Sequence, residues 1–355
     1  MLIVIDTGLA STKAAAMVGQ AVRGVSFSSS VVRGLIGEQA GGVYCLGKTT
    51  NNFQIYSALA QDYGVFPVGA ANFREPSNAK RRVLIEHAMA QLSVTGKTNV
   101  ILTQPAPILF SGGDDQTSRV REAETSLLKM PVGTIDPASG RPVASKWKLH
   151  QATASVETAW AIYDLAITSP AAAQNDLVEF TEDRVRVGAV LAVVDFGATG
   201  TRVHYVEWTG ELLPTLVVSR YHEFGLGTEE VVSQIDQRLV ERHSYRDVID
   251  VPQLRTDPTI LVAGTRIDVS DLVDDAIRET ASHMLAAGLD QLKGEVEAGE
   301  VDHVLFVGGG ARVLGGIVAD QLPSGAVLAV ENPEQAPVRG LLKARASNGN
   351  GGGRS

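Results

Sequence analysis

A single cysteine, Cys45, stands in 355 residues, which excludes an internal disulfide and indicates a reducing compartment. Long apolar runs are missing as well. The longest, Val187 to Val194, is strand-sized and far short of the ~20 residues of a transmembrane helix. Met1-Leu2-Ile3-Val4-Ile5 reaches Asp6 without a basic leader, so no signal peptide is expected, and no basic amphipathic helix marks a membrane surface. These absences predict a cytoplasmic protein. Positive charge is in deficit: 31 Lys and Arg face 40 Asp and Glu, a net −9, which argues against a general nucleic-acid-binding surface. The seven histidines never fall at metal-ligand spacing, and one cysteine cannot build a zinc site. Neither the Walker pattern nor the dinucleotide fingerprint occurs.

What is present is an ordinary globular composition, 44% hydrophobic and 20% charged, long enough for two or three domains with a sizeable core. The charge is uneven. Residues 1–165 carry 15 basic and 12 acidic side chains, a balance of +3, and the remainder carries 16 and 28, a balance of −12. This is composition drift between two domains or, more sharply, an electrostatic head and tail.

Two distant segments are alike. Ile3-Val4-Ile5-Asp6-Thr7-Gly8 is a β-branched run ending in an acid and a glycine, and Ala192-Val193-Val194-Asp195-Phe196-Gly197 repeats it 189 positions later. The register then holds, with Thr12-Lys13 matched by Thr201-Arg202. Each run reads as a buried strand turning through a glycine-rich hairpin into a second strand, Lys13–Val18 or Thr201–Val206. The spacing implies a duplicated α/β domain pair.

Elsewhere, apolar residues at 83, 84, 85, 88, 89 and 92 predict a helix over Lys80–Leu92, and Val100–Thr103 a strand. Helices are also expected over Ser155–Ala166, Gly227–Leu239, Ser270–Val296, Ala311–Leu322 and Pro337–Ala346. His303–Val307 and Ala326–Val330 read as strands, Ser169–Asp176 as a flexible loop, and 347–355 as a disordered tail. Lys80-Arg81-Arg82 reads as a solvated helix start, with pairing to an acidic face of a neighbouring subunit as the alternative.

An acid at a strand end followed by a tight glycine turn suits a nucleotide. The turn aims backbone N–H groups at phosphate oxygens, and the carboxylate holds water around magnesium. One such turn is a common hairpin signal; a matched pair implies a phosphate chain clamped between two domains. A third cluster, Gly308-Gly309-Gly310 between a strand and a helix, permits close approach to a ring or a ribose, or forms a strand–helix packing corner.

The order of these three motifs is similar to that of the actin, Hsp70 and sugar-kinase ATPase superfamily. Within it, the chain resembles the ParM/StbA family of plasmid-segregating bacterial actins, on the opening Met-Leu-Ile-Val-Ile-Asp-Thr-Gly with Lys13, on Val100–Pro105 and on Val304–Ala311. The resemblance implies an actin-like (ribonuclease H-like) α/β fold of duplicated domains with a nucleotide in the interdomain cleft. Domain I would span 1–188 with a returning helix at 335–346, and domain II 189–334. It places Asp6 and Asp195 around the magnesium of a bound ATP or GTP. Thr7, Gly8, Leu9, Ala10 and Lys13 match the first phosphate loop, and Gly197, Ala198 and Thr199 the second. Gly308, Gly309 and Gly310 match the adenosine turn, and Gly225 and Gly227 a helix start near the ribose. Glu157 falls where the family holds the side chain that orients or deprotonates the attacking water, here in the first turn of the expected helix; its bland alternative is an acid complementing a helix dipole. Three departures stand out: Arg202 where an acid is frequent, Ala198 where Gly is common, and Leu9 in place of a hydroxyl side chain.

The implied activity is nucleoside triphosphate hydrolysis coupled to head-to-tail polymerisation. The implied partners are identical subunits and an adaptor bound to a centromere-like DNA site, so contact with DNA is indirect. The alternatives are a non-polymerising kinase on this fold, for which no acceptor-site motif is found, and a cell-shape or division actin. An Hsp70-like chaperone is disfavoured, because nine residues after Ala346 cannot form a peptide-binding domain.

Overall fold

The two β-branched, acid-terminated runs become the central strands of two separate units in the computed structural model of the protein. The structure describes residues 1–8, 10–33, 40–49, 52–59, 79–110, 113–136, 139, 141–212, 215–217, 220–245, 254 and 257–350. One unit comprises Met1–Arg186, Gly210–Pro214 and Gln335–Ser355, the other Val187–Thr209 and Thr215–Glu334.

The first unit runs β1 (Leu2–Thr7), β2 (Ser11–Val18), β3 (Ala21–Ser28), β4 (Val31–Arg33), β5 (Ala40–Thr49), β6 (Asn52–Leu59), α1 (Ala79–Gln91), β7 (Gly96–Gln104), α2 (Ala106–Phe110), α3 (Gly113–Lys129), β8 (Val132–Ile135), β9 (Pro142–Ala144), β10 (Trp147–Val156), α4 (Ala161–Ala166) and α5 (Ala173–Asp183). Its main sheet has the order β10-β7-β1-β2-β3, and a second sheet the order β4-β6-β5-β8-β9. In the main sheet β1 is antiparallel to β2 and parallel to β7. A strand flanked on both edges and covered on both faces needs apolar side chains throughout, and Ile3, Val4 and Ile5 are wholly buried.

The second unit repeats this core: β11 (Val190–Phe196) is antiparallel to β12 (Thr201–Glu207) and parallel to β17 (His303–Val307). β13 (Thr215–Leu216) and β14 (His222–Phe224) pair with β12, and β15 (Thr259–Val262) with β16 (Thr265–Asp268) forms a separate hairpin. Its helices include α6 (Thr228–His243), α7 (Ser270–Met284), α8 (Asp290–Glu297) and α9 (Ala311–Ala319). The continuous apolar face of 270–297 packs into the core through Leu272, Ala276, Ala281, Leu289 and Leu292, with a kink at Gly288 between α7 and α8.

Several expectations are corrected. Ser155 and Val156 close β10, paired with Thr103 and Gln104, and helix begins only at Ala161; small residues there pack as well in a pleated strand as on a helix. Residues 173–176 of the expected loop are the first turn of α5. The helix after the triple glycine ends at Ala319. Of the expected strand at 326–330 only one bridge forms, Val304 with Val327. The C-terminal helix runs Ala336–Asn350, so residues 347–350 are helical rather than part of a disordered tail; residues 351–355 lie outside the described residues. Gly210–Pro214 joins the first unit, where the Glu211 carbonyl accepts from Tyr163 Oη at 2.8 Å.

Charge follows the units. The first holds 21 basic and 17 acidic side chains, +4, and the second 10 and 23, −13. No helix among the described residues is long and apolar enough to cross a membrane.

Candidate nucleotide site

Each acid–glycine motif forms a tight hairpin. Asp6 pairs with Lys13 and Thr7 with Thr12 across the first; Asp195 pairs with Arg202 and Phe196 with Thr201 across the second. The turns are alike at atomic level. A Cβ on Gly8 would stand 2.7 Å from the Ser11 carbonyl oxygen, and one on Gly197 2.8 Å from that of Gly200.

In the first unit the turn is anchored from behind. Ser29 Oγ donates to the Gly8 carbonyl at 2.6 Å and Ser29 N to that of Ala10 at 2.8 Å. Lys13 Nζ lies 3.5 Å from Asp6 Oδ2, both side chains mostly buried. This separation is longer than that of a usual charge-assisted hydrogen bond. Leu9 lies outside the described residues.

In the second unit the structure gathers most of the expected residues around one turn. The amides of Thr228 and Glu229, the first residues of α6, donate to the carbonyls of Gly197 and Ala198 at 3.0 and 2.9 Å. Gly227 is buried just before α6, Gly225 and Thr199 are exposed, and Thr201 Oγ1 donates to the Leu226 carbonyl. Gly310 N donates to the Phe196 carbonyl at 3.0 Å, which brings the triple glycine against the hairpin. Gly308 has φ +86° and no room for a Cβ beside the Asp195 carboxylate; Gly309 is exposed. Arg202, one of the departures, bonds Glu223 at 2.9 Å.

Glu157 follows the last residue of β10, in the turn before α4, rather than inside a helix. Its amide donates to the Gln104 carbonyl at 2.9 Å, and the residue is buried. The next helix in sequence begins four residues on, so Glu157 is not an acid of its first turn.

A buried arginine adjoins the first hairpin. Arg81 and Arg82 are buried at 2% and 3% exposure rather than solvated. Arg81 Nε donates to Thr7 Oγ1 at 2.8 Å and its Nη1 to Glu124 Oε1 at 2.7 Å. Gln104 Nε2 also donates to Glu124 Oε1. Arg82 pairs instead with Glu86, which accepts from Trp147 Nε1 at 3.0 Å. A run of three basic residues carries no sign of this; only the acid at i+4 from Arg82 was a local clue.

Among the described residues no three His, Cys, Asp or Glu side chains cluster as a metal site. A divalent ion beside either hairpin would draw on one carboxylate, water and a ligand's phosphates, a donor set that suits Mg²⁺; Asp6 lies beside the first hairpin and Asp195 beside the second. Cys45 is buried, and burial raises its thiol pKa, the opposite of what a nucleophile needs.

The fold is actin-like, a class defined by two units of this strand–hairpin–strand architecture. Solved structures similar to the chain include a ParM from Bacillus thuringiensis with ATP, at 15% identity and TM-score 0.66 over 98% of both chains. Others are a 15-stranded ParM filament from Clostridium botulinum (16%, 0.68, 96% of this chain and 97% of that one) and an archaeal actin homologue in complex with ADP (13%, 0.69, 98% and 99%). No protein-family model and no curated protein matches the chain.

Proposed function

We propose that the protein is a filament-forming actin-like ATPase that polymerises with bound nucleotide and depolymerises after hydrolysis, acting in segregation of a plasmid or other replicon. The observation that carries the reading is the duplicated hairpin: the same strand, acid, glycine turn and return strand beside a parallel strand, in each half of an actin-like fold. Similar structures bound to ATP and ADP, and one in a filament, support it.

In this reading the hairpin amides of both units and Lys13 hold the phosphates of ATP or GTP, and Gly308–Gly310 with Gly225 and Gly227 receive the nucleoside. Asp6 and Asp195 would hold Mg²⁺ through water, and the ion would supply charge neutralisation at the phosphate oxygens. Glu157 orients the attacking water and accepts its proton. A phosphate chain that engages both hairpins favours one arrangement of the units, and its shortening releases that preference. The subunit interface would recognise the favoured arrangement. The protein would work in the cytoplasm, with copies of itself and a DNA-bound adaptor as partners.

The test is light scattering of the purified protein at micromolar concentration with ATP or GTP and magnesium. A nucleotide-dependent rise that decays as phosphate is released is expected. Nucleotide binding with no rise would leave a monomeric nucleotide-binding protein and overturn the filament reading.

A further inference from the structure

Two buried ion pairs start from adjacent residues of α1. Arg81 and Arg82 are consecutive on α1, yet they face different surroundings. Arg82 turns to Glu86, whose carboxylate also accepts from Trp147 and Ser145, while its own Nε donates to the Met130 carbonyl. All of these contacts lie away from the hairpin. Arg81 turns to the first hairpin and to Glu124 of α3.

The contacts of Arg81 form a continuous path. Thr7, the last residue of β1, accepts from Arg81; Arg81 and Gln104 share Glu124 Oε1; and Gln104, the last residue of β7, takes the amide of Glu157 on its carbonyl. Gln104 and Val156 are also paired in register at the ends of β7 and β10. The four side chains of Thr7, Arg81, Glu124 and Gln104 are 7% exposed or less. A charge-assisted network in a dry setting is stiff, because each donor has its acceptor fixed from a second element.

We propose that the Arg81–Glu124 pair is a positioning device for hydrolysis: it locks the end of β1, which carries the phosphate hairpin, to the ends of β7 and β10, which carry Glu157. The inference rests on the nucleotide-hydrolysing reading above and adds residues that act through Thr7 and the turn holding Glu157. A displacement of about 1 Å between reacting groups costs up to roughly 100-fold in rate, so loosening this lock lowers turnover more than it lowers affinity.

The experiment compares the two neighbouring pairs in the full chain. Arg81→Lys and Glu124→Gln are set against Arg82→Lys and Glu86→Gln, measuring melting temperature, affinity for the non-hydrolysable analogue AMPPNP with magnesium, and kcat of phosphate release. Both pairs are buried, so both sets should melt lower. Only the Arg81 and Glu124 variants should lose kcat, by roughly 10-fold to 100-fold, with AMPPNP affinity within about threefold of wild type. Gln104→Met, which cuts the path but keeps the ion pair, should repeat the kcat loss even if the charge variants fold poorly. Equal kcat losses in both sets, or wild-type kcat in Gln104→Met, would reduce the pair to a structural one and overturn the proposal. A wild-type protein that releases no phosphate defeats the hydrolytic reading itself, and the positioning role with it; hydrolysis in the wild type with the wrong pattern among variants defeats only the latter.

Discussion

Gly308 lies directly against the carboxylate of Asp195: a Cβ built on Gly308 would overlap Oδ1 and stand 2.7 Å from the Phe196 carbonyl oxygen. With φ at +86°, the position also opposes any L side chain on conformational grounds. The strand-to-helix turn and the strand-end acid are therefore shaped against each other. Gly308→Ala should destabilise the second unit by about 2–4 kcal/mol and, by displacing Asp195, weaken magnesium-dependent ATP binding by at least about tenfold. Calorimetric titration and thermal melting check both parts. Gly309→Ala, where a Cβ meets open space, should melt like wild type.

Glu157 is held by its backbone to Gln104 and is buried in the turn before α4. In the proposed mechanism its carboxylate is needed for turnover and not for binding. Glu157→Ala should keep nucleotide affinity and assembly, slow phosphate release by about 10²–10⁴-fold, and lengthen filament lifetime. A wild-type rate of phosphate release in this variant removes Glu157 from the chemistry.

The hairpins were legible in the sequence because their signals are local: β-branched residues, an acid and a glycine within eight positions. Their duplication was legible because the matching residues keep register for several positions beyond the turn. Arg81 was not legible. Its partners, Thr7 and Glu124, are 74 and 43 positions away, and a basic triplet on a helix carries the same local pattern whether solvated or buried. The end of β10 was missed for a related reason. Ala154-Ser155-Val156 has no strong preference of its own, and pairing with β7, about fifty residues back, decides its conformation. In the second sheet of the first unit β5 pairs locally with β6, but its pairing with β8, about ninety residues on, is long-range in the same way.

The C-terminal helix is pinned to α4 by charge. Lys343 Nζ sits 2.7 Å and Arg339 Nε 3.2 Å from Asp164 Oδ1, and Lys343 also donates to the Asp164 carbonyl at 2.9 Å. Asp164 and Lys343 are both nearly inaccessible. Lys343→Met leaves the buried carboxylate with only its more exposed cation, and should cost about 2–4 kcal/mol. Adding Asp164→Leu removes the stranded charge and should restore a large part of that loss. Denaturant unfolding of the single and double variants measures the difference; a double variant no more stable than Lys343→Met would contradict the ion-pair account.

Two histidines make stability depend on pH. His87 is buried beside Phe27 and shares a 2.6 Å hydrogen bond with Tyr44 Oη, and burial lowers its pKa to about 4. His204 is likewise lowered to about 4, by burial first and then by Arg202, with Glu223 acting in the opposite sense. In the unfolded chain both titrate near 6.5. Between these values the unfolded state binds more protons, so stability rises with pH through this window and is lost as pH falls from about 6.5 towards 4. Each histidine contributes about 3 kcal/mol to that loss. Urea midpoints at about pH 7.5 and about pH 4.5 should differ less in His87→Gln and in His204→Gln than in wild type. An unchanged difference in both variants would place the pH dependence on other groups.

The charge division between the units, +4 against −13, bears on assembly. If filament subunits stack head to tail, the near-neutral or basic surface of one copy meets the acidic surface of the next, and attraction between them adds to the apolar contacts. Such a contribution is screened over about 8–10 Å at physiological salt and reaches about 30 Å at 0.01 M. The critical concentration should therefore rise severalfold between about 0.01 M and about 0.15 M monovalent salt. Nucleotide affinity has to be followed in parallel, because the phosphate contact proposed for Lys13 would itself be weakened by salt. A critical concentration that changes only in step with nucleotide affinity would assign the whole effect to the site and leave the charge division without a role in assembly. A rise larger than the change in affinity would locate it at the subunit interface.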